Sequence, residues 1–340
     1  MPGCWRNPHV RCPGSRARAR LWLAGVLLLL SLAGCAPGPS PTSAWPPTAT
    51  LPPPPAAPAA PLTGPTPSAP PLVEGDPAAA AATPTAVSTP TAMPCATPGV
   101  VVAGTYPSAL AGPSRYRIYL PPCYGQDGRS YPTLYMLPGN IHTDSIWDDL
   151  GLDETAAALI QAGQIPPLLI VMADGGWFAD NTSGGPGSYE SIILDDLIPF
   201  IEGSVCAWPQ PAGRALGGMS RGGYWALAIA FRHPDQFASV GGHSAALLDQ
   251  YAGPDVNPQF TGPRNPLGAL RIYLDIGAAD WVLANVRQLH ADLEAAGVAH
   301  TWVLNDGRHE DAYWSAHLAD YLRWYTAPWP TARDAYPPCD

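Results

Sequence analysis

A single serine surrounded by glycines stands in the chain's most distinctive stretch, GRALGGMSRGGYWALAIA, which covers residues 213–230. Gly218, Ser220 and Gly222 form a G-x-S-x-G pattern between a β-rich run and the helical pattern YWALAIAFRH. In a tight turn from strand to helix the serine takes a strained backbone conformation, and side chains two positions before or after it would collide with the strand or the helix. The pattern, flanked by a strand and a helix, therefore predicts that Ser220 is a nucleophile, and an ordinary Gly-rich loop is the alternative.

Ser220 needs two partners, because a serine hydroxyl is a weak nucleophile until an imidazole takes its proton and a carboxylate orients that imidazole. The stretch LRIYLDIGAADWVLAN offers Asp275 and Asp280 as the acid. Asp275 lies inside the predicted strand, whereas Asp280 lies just past its end, where a carboxylate can reach the top of a sheet. We therefore assign Asp280 as the acid. The alternative is that Asp280 only caps the following helix.

The base is expected in the stretch VLNDGRHEDAYW, which places His309 in a short loop between the last predicted strand and the last predicted helix. His317 lies within that helix, His300 opens a strand, and His243 follows the strand after the serine. Each of these three is expected to be structural or to line a pocket. His309 is therefore predicted to be the general base.

Apolar, β-rich runs alternate with helical patterns from about residue 99 to the C-terminus. The predicted strands are residues 133–137, 168–173, 214–218, 237–242, 270–277 and 300–306, and the predicted helices are residues 152–163, 189–203, 224–232, 285–296 and 312–325. Continuous apolar strands separated by helices predict an α/β fold with a mostly parallel central sheet and helices on both faces. Two further strands, at about residues 100–106 and 116–120, predict an antiparallel leading hairpin.

Six motifs make residues 99–325 resemble the putative esterase family of α/β-hydrolases, which includes feruloyl and other carbohydrate esterases, enterochelin esterases and mycolyltransferases. They are RIYLPPCY, YPTLYMLPG, GQIPPLLIVMADG, YESIILDDLIPFIE, GGMSRGG and GRHEDAYWSAHL. The resemblance implies an α/β-hydrolase fold with Ser220, Asp280 and His309 as nucleophile, acid and base. It also implies an oxyanion hole formed by the backbone N–H groups of Asn140 and Arg221.

One departure from the family pattern lies in the loop after the first parallel strand. Family members often have His-Gly where this chain has Pro138 and Gly139. Because the implied oxyanion donor is a backbone group, we expect the hole to survive with a differently shaped loop, NIHTDSIW. Trp147 in this loop, Trp177 in ADGGWFADN and His243 are candidate substrate-pocket residues, and plain packing is the alternative for each.

The N-terminal part of the chain differs in composition from the rest. Five arginines precede an apolar run at residues 21–32, which is too short to span a membrane as a mature helix, so residues 1–35 are predicted to be a signal peptide. The run ends in LAGC, which resembles a bacterial lipobox and implies an exported, cell-surface protein anchored to the membrane by lipid on Cys35. A plainly secreted protein is the alternative. Residues 36–98 hold 20 prolines and are predicted to be a disordered linker, leaving residues 99–340 as the folded esterase domain.

Charge and cysteine content bear on partners and compartment. Residues 36–340 hold 12 arginines, no lysine and 27 acidic residues, a formal charge of −15, which argues against a nucleic-acid partner. Four cysteines would remain after processing and can pair in three ways. The predicted hairpin would bring Cys95 and Cys123 together, which favours Cys95–Cys123 and Cys206–Cys339. Free buried thiols are the alternative.

The favoured function from sequence is an exported serine esterase that hydrolyses carboxylic esters, with acetyl or hydroxycinnamoyl esters of polysaccharides as candidate substrates. An acyltransferase of the mycolyltransferase type uses the same chemistry, and a non-catalytic surface binding module is the alternative from another class. Enterochelin-type hydrolysis is disfavoured by the charge of −15 and the lack of lysine. The sequence has no metal-ligand spacing, phosphate-binding loop or dinucleotide fingerprint, so we expect neither a metal nor a cofactor.

Overall fold

The computed structural model describes residues 97–248 and 252–339. The predicted signal peptide, nearly all of the predicted linker, Cys35 and Cys95 lie outside these ranges, so those assignments stay predictions. The strands are β1 (Val100–Ser108), β2 (Gly112–Leu120), β3 (Thr133–Leu137), β4 (Leu169–Ala173), β5 (Arg214–Met219), β6 (Ser239–His243), β7 (Arg271–Gly277) and β8 (Thr301–Asn305). They form one eight-stranded sheet in the order β1-β2-β4-β3-β5-β6-β7-β8.

The pairing of the strands confirms a mostly parallel sheet with an antiparallel leading hairpin. β1 pairs with β2, and β2 with β4, in antiparallel fashion, whereas every pairing from β4 through β3 to β8 is parallel. The hairpin is longer than predicted, since its register continues to Ser108 opposite Gly112. The Oγ atom of Ser108 accepts the N–H groups of Leu110 and Ala111, and Gly112 has a φ of 73°, so the turn needs few residues.

The helices follow the sequence patterns, with short additional ones between them. They are α1 (Ile146–Asp149), α2 (Leu152–Gln161), α3 (Gly176–Asn181), α4 (Tyr189–Ser191), α5 (Ile198–Ser204), α6 (Arg221–Arg232), α7 (Pro258–Arg264), α8 (Leu283–Ala295) and α9 (Asp311–Thr326). A π-helical turn, Ile192–Leu197, joins α4 to α5, so the predicted helix at residues 189–203 is one continuous element. The sequence patterns did not predict α1, α3 and α7, which are seven residues long or shorter.

Side chains of the central strands alternate between two buried cores, one on each face of the sheet. In β3, Tyr135 and Leu137 join the core beneath α4 to α6 and α8, whereas Leu134 and Met136 join the core beneath α1, α2 and α9. Helices therefore cover both faces, as predicted. None of the helices within the described ranges is long and apolar enough to cross a membrane.

A disulfide joins Cys206, after α5, to Cys339 near the C-terminus, with Cα atoms 5.2 Å apart. This confirms one of the two predicted pairings. Cys123 is also disulfide-bonded, but its predicted partner Cys95 lies outside the described residues, so that pairing stays a prediction.

Candidate active site

Ser220 occupies the turn between the end of β5 and the start of α6. Its backbone has φ 52° and ψ −117°, a conformation that L-residues rarely adopt. A Cβ atom built on Gly218 would overlap the backbone carbonyl of Gly222, and one built on Gly222 would overlap the carbonyl oxygen of Leu137 in β3. Glycine is therefore the residue that fits on both sides of the serine, for the steric reason that the sequence pattern indicates.

The structure brings the three predicted residues into one hydrogen-bonded chain. The Nε2 atom of His309 lies 2.8 Å from the Oγ atom of Ser220, and its Nδ1 atom lies 2.9 Å and 3.0 Å from the two carboxylate oxygens of Asp280. Because a carboxylate only accepts hydrogen bonds, Nδ1 carries the proton and Nε2 is left to accept the serine proton. This is the arrangement in which an imidazole can act as a base toward Ser220.

Asp280 holds His309, and the alternative that it caps the following helix is wrong, because the N-cap of α8 is Val282. The Oδ1 atom of Asp280 accepts the backbone N–H of Val282 at 2.9 Å, at the N-terminal end of α8. The same carboxylate holds His309. The carboxylate is fully buried, whereas the His309 ring is 12% exposed. The hydrogen bond from Val282 therefore helps to fix the carboxylate that orients the imidazole.

A pocket of about 320 Å³ opens at Ser220 and His309. Its wall is formed by the loop at residues 139–142, by residues 309–311, and by the indoles of Trp281 and Trp314. Each of these indoles lies 5.1 Å from the His309 ring, measured between ring centroids. The pocket is therefore largely apolar next to the nucleophile.

The predicted oxyanion donors flank this pocket. Asn140 lines it, and a Cβ atom built on the preceding Gly139 would lie 3.5 Å from the Cβ atom of Ser220, so the loop after β3 packs directly against the nucleophile. Arg221 is the first residue of α6 and directly follows Ser220. Its side chain is turned away, with Nε donating to the carbonyl oxygen of Ala179 at 2.9 Å.

Three residues predicted to line the pocket do not do so. Trp147 is 1% exposed, and its Nε1 atom donates to the carbonyl oxygen of Leu137 at 3.0 Å. It therefore packs in the core, next to the end of β3. His243 is fully buried beside it, with ring centroids 6.1 Å apart. Trp177 is exposed, but it packs on Phe178 in α3 and is absent from the pocket wall.

Three pocket residues that were not predicted from the sequence lie beside the predicted triad or the predicted oxyanion loop. Trp281 directly follows Asp280, and Trp314 lies in the first turn of α9, five residues after His309. Ile141 is 87% exposed and has a φ of 65°, which is strained for a β-branched residue. Ile141 directly follows Asn140, and this position in the predicted oxyanion loop could have marked it as a pocket residue. Across residues 97–248 and 252–339, no group of three or more His, Cys, Asp or Glu side chains is arranged to hold a metal ion.

The sheet is mostly parallel and has helices on both faces. A serine lies on the turn after a central strand and meets an acid and a histidine that follow later strands. These features together define an α/β-hydrolase. The family model described as putative esterase matches residues 108–325. The chain belongs to this family.

Relatives and solved structures agree with this family. An esterase of Mycobacterium tuberculosis is 34% identical over 243 residues, which are 57% of this chain and 52% of the relative. A diacylglycerol acyltransferase/mycolyltransferase of Mycobacterium leprae is 27% identical over 188 residues, 53% of this chain and 49% of the relative. The chain thus spans about half the length of these curated relatives. The solved structure of a ferulic acid esterase matches with a TM-score of 0.63 at 24% identity, covering 68% of this chain and 100% of that one, and shows the same fold.

Proposed function

We propose that the protein hydrolyses carboxylic esters with Ser220 as nucleophile, His309 as general base and acid, and Asp280 as the group that orients the imidazole. The observation that carries this proposal is the unbroken chain from the Ser220 Oγ atom through both ring nitrogens of His309 to the buried carboxylate, open to a pocket at the serine end.

In the first half of the reaction the Ser220 Oγ atom attacks the ester carbonyl carbon while its proton passes to Nε2 of His309. The carbonyl π electrons move to the oxygen, and the backbone N–H groups of Asn140 and Arg221 donate hydrogen bonds to that oxyanion. When the tetrahedral intermediate collapses, the bond to the alcohol oxygen breaks and His309 returns the proton to the leaving alcohol. Ser220 is then acylated.

Water completes the cycle by the same steps, with water as the attacking group and Ser220 as the leaving group. His309 takes a proton from a water molecule, which attacks the acyl carbon, and the second collapse releases the carboxylic acid and the Ser220 hydroxyl. The Asp280 carboxylate, which is fully buried, stabilises the imidazolium that forms twice in each cycle.

The pocket favours esters of a flat, apolar acyl group over acetyl esters. A pocket of about 320 Å³ would be left mostly empty by an acetyl group. A hydroxycinnamoyl ring could pack against Trp281 and Trp314, because aromatic rings pack favourably on one another. The carboxylates of Glu310 and Asp311 at the same wall would repel an anionic acyl group, so we propose neutral hydroxycinnamoyl esters as the preferred substrates. The name of the ferulic acid esterase with the same fold supports this choice.

The proposed activity is tested with the purified full-length protein and a panel of acetyl, butyryl and feruloyl esters. We expect turnover of the panel, with the highest kcat/KM for the feruloyl ester. A folded protein that hydrolyses none of these esters would overturn the proposal. A higher kcat/KM for the acetyl ester would overturn the preference and leave the hydrolysis standing.

Acyl transfer to a sugar is the second candidate function, supported by the relative named as a mycolyltransferase. The acyl-enzyme would form in the same way, and a sugar hydroxyl would replace water as the attacking group. Adding a glycoside or trehalose acceptor to the feruloyl ester assay separates the two. Hydrolysis yields the free acid at an unchanged rate, whereas transfer yields an acylated sugar.

We also propose that the protein is exported and held at the cell surface by lipid on Cys35, with the ester of a wall or extracellular polysaccharide as its partner. The LAGC motif supports the anchor, and the Cys206–Cys339 disulfide supports an oxidising compartment. Metabolic labelling with a clickable fatty acid tests it. The wild-type protein should be labelled in the membrane fraction and Cys35→Ser should not, and a soluble, unlabelled wild-type protein would favour plain secretion.

A further inference from the structure

A second carboxylate–histidine pair lies behind the proposed catalytic residues and takes no part in the reaction described above. Asp275 in β7 and His243 at the end of β6 are register partners in the sheet. The Oδ1 atom of Asp275 lies 2.6 Å from the Nδ1 atom of His243, and both side chains are fully buried.

Tyrosines from α9 complete this buried network. The Oδ2 atom of Asp275 accepts the hydroxyls of Tyr313 and Tyr321 at 2.9 Å and 2.8 Å, and the hydroxyl of Tyr325 lies 3.0 Å from Nε2 of His243. Burial raises the pKa of each of these tyrosines, and the charge of Asp275 raises it further. The hydroxyls therefore keep their protons and can donate. Every polar atom of the Asp275 and His243 side chains has a partner.

A network of this kind is a costly way to fill a core. Removing a carboxylate from water has a large desolvation cost, and apolar side chains of similar volume often stabilise a protein as well or better. What a fully satisfied polar network adds is a fixed geometry, because each hydrogen bond constrains direction as well as distance. The network of Asp275 and His243 therefore fixes the groups that are bound to it.

One such group is the backbone of Ser220. Its N–H donates to the carbonyl oxygen of His243 at 2.9 Å, and its carbonyl oxygen accepts the N–H of Ala246 at 2.9 Å. The short segment from His243 to Ala246 thus holds both sides of the strained serine. Asp275 holds this segment in turn, through its side chain on His243 and through its carbonyl oxygen, which accepts the N–H of Ser244 at 2.9 Å.

The other group is the loop that carries His309. The ring of Tyr313 lies so close to Gly307 that a Cβ atom built on that glycine would overlap it. The backbone N–H of Tyr313 also donates to the carbonyl oxygen of Glu310 at 3.0 Å. Since the Tyr313 hydroxyl is bound to Asp275, the same carboxylate supports the residues on both sides of His309.

We propose that Asp275, acting through His243 and Tyr313, is a positioning residue that sets the placement of Ser220 relative to His309. This inference rests on the proposed function, because it assigns Asp275 a role in the same reaction. Its effect is on the chemical step, since none of its network residues lines the substrate pocket.

The test is Asp275→Asn, which keeps the shape of the side chain and removes its charge. We expect kcat for a feruloyl ester to fall about 10- to 100-fold, as misplacement of reacting groups does, with KM changed less than about twofold. The rate of fluorophosphonate labelling of Ser220 should fall in parallel, because that reaction needs the same geometry and no ester substrate.

The matched control is Glu190→Gln. Glu190 is also a buried carboxylate, 4% exposed, and binds a histidine, His233, at 2.8 Å, but that pair lies at the far end of α6 from the serine. The control should lose stability and keep the wild-type kcat per labelled active site. If the loss of any buried carboxylate–histidine pair lowered kcat, kcat would instead fall in both variants.

Tyr321→Phe removes one hydrogen bond to Asp275 and keeps the ring, so it provides the test if Asp275→Asn does not fold. We expect a severalfold fall in kcat at unchanged KM. Wild-type kcat and labelling rate in the folded variants, or a fall no greater than in Glu190→Gln, would overturn the positioning role. If the wild type itself is labelled at Ser220 but hydrolyses no ester, the proposed function fails while the labelling rates still test the positioning role.

Discussion

The Nε2 atom of His309 lies within hydrogen-bond distance, 2.8 Å, of the Oγ atom of Ser220, although 89 residues separate them in the sequence. The topology of the sheet explains why these two residues lie close together. β5, β7 and β8 are parallel, so their carboxyl ends lie at one edge, and the residues that follow them converge there. Ser220 follows β5, Asp280 follows β7, and His309 follows β8.

Asp280→Asn should lower kcat by about 10⁴-fold while leaving the fold intact. The asparagine oxygen can still accept the N–H of Val282, but its NH₂ group would face Nδ1 of His309 and favour the wrong imidazole tautomer. Steady-state kinetics and thermal unfolding of the variant check this. Retention of more than about a tenth of the wild-type kcat would mean that Asp280 serves chiefly to hold the backbone before α8.

Gly222→Ala should destabilise the protein by about 1–3 kcal/mol and abolish activity, because the added methyl group meets the carbonyl oxygen of Leu137. Gly203→Ala is the matched control. Gly203 lies in α5 with open space around its Cβ position, so alanine there should stabilise the helix by up to about 1 kcal/mol. Chemical denaturation measures both changes. Equal effects of the two substitutions would contradict the steric account of the serine turn.

Trp281→Ala should raise KM for a feruloyl ester about three- to tenfold, since an aromatic pair contributes roughly 0.5–1.5 kcal/mol. KM for p-nitrophenyl acetate should change little. Trp177→Ala is the control, because Trp177 is 65% exposed, close to the 63% of Trp281, but lies outside the pocket wall. A rise in KM with Trp177→Ala and none with Trp281→Ala would reverse our assignment of the pocket.

The stability of the protein should depend on pH through Asp153, at the start of α2. Burial, with the hydrogen bond and charge of Glu154, raises the pKa of Asp153 to about 7, whereas an aspartate in an unfolded chain has a pKa of about 4. Between these values the folded protein holds a proton that the unfolded chain has lost, so this group makes stability fall as the pH rises through the window.

Asp153→Asn removes this dependence, because asparagine does not ionise. The free energy of unfolding of the variant relative to wild type should therefore increase as the pH rises from about 4 to about 7. Urea denaturation at several pH values across the window measures it. Parallel curves for the two proteins would show that the carboxyl of Asp153 titrates alike in the folded and unfolded states.

The sheet and the proposed catalytic residues could be predicted from sequence because their signals are local. Apolar runs mark β3 and β4 almost to the residue, the glycines mark the turn at Ser220, and the positions of Asp280 and His309 just past strand ends mark their loops. The fold then only had to bring the strand ends together, which a parallel sheet does by its topology.

The substrate pocket and the buried network could not be predicted in this way, because they depend on which side chains meet across the chain. Trp147 and His243 stand near the site in sequence, yet their rings turn into the core, where Leu137 and Asp275 bind them. A charged residue in the middle of the apolar run at residues 270–277 was the one signal that Asp275 has a buried partner.

The most direct test of the central claim is to treat the folded wild-type protein with a fluorophosphonate and locate the adduct by mass spectrometry, with Ser220→Ala and Ser239→Ala alongside. Ser239 is buried in β6, away from the turn, so its variant should react as the wild type does. We predict one adduct, on Ser220, in the wild type and in Ser239→Ala, and none in Ser220→Ala. A folded wild-type protein that stays unlabelled, or that is labelled at another residue, would contradict the account.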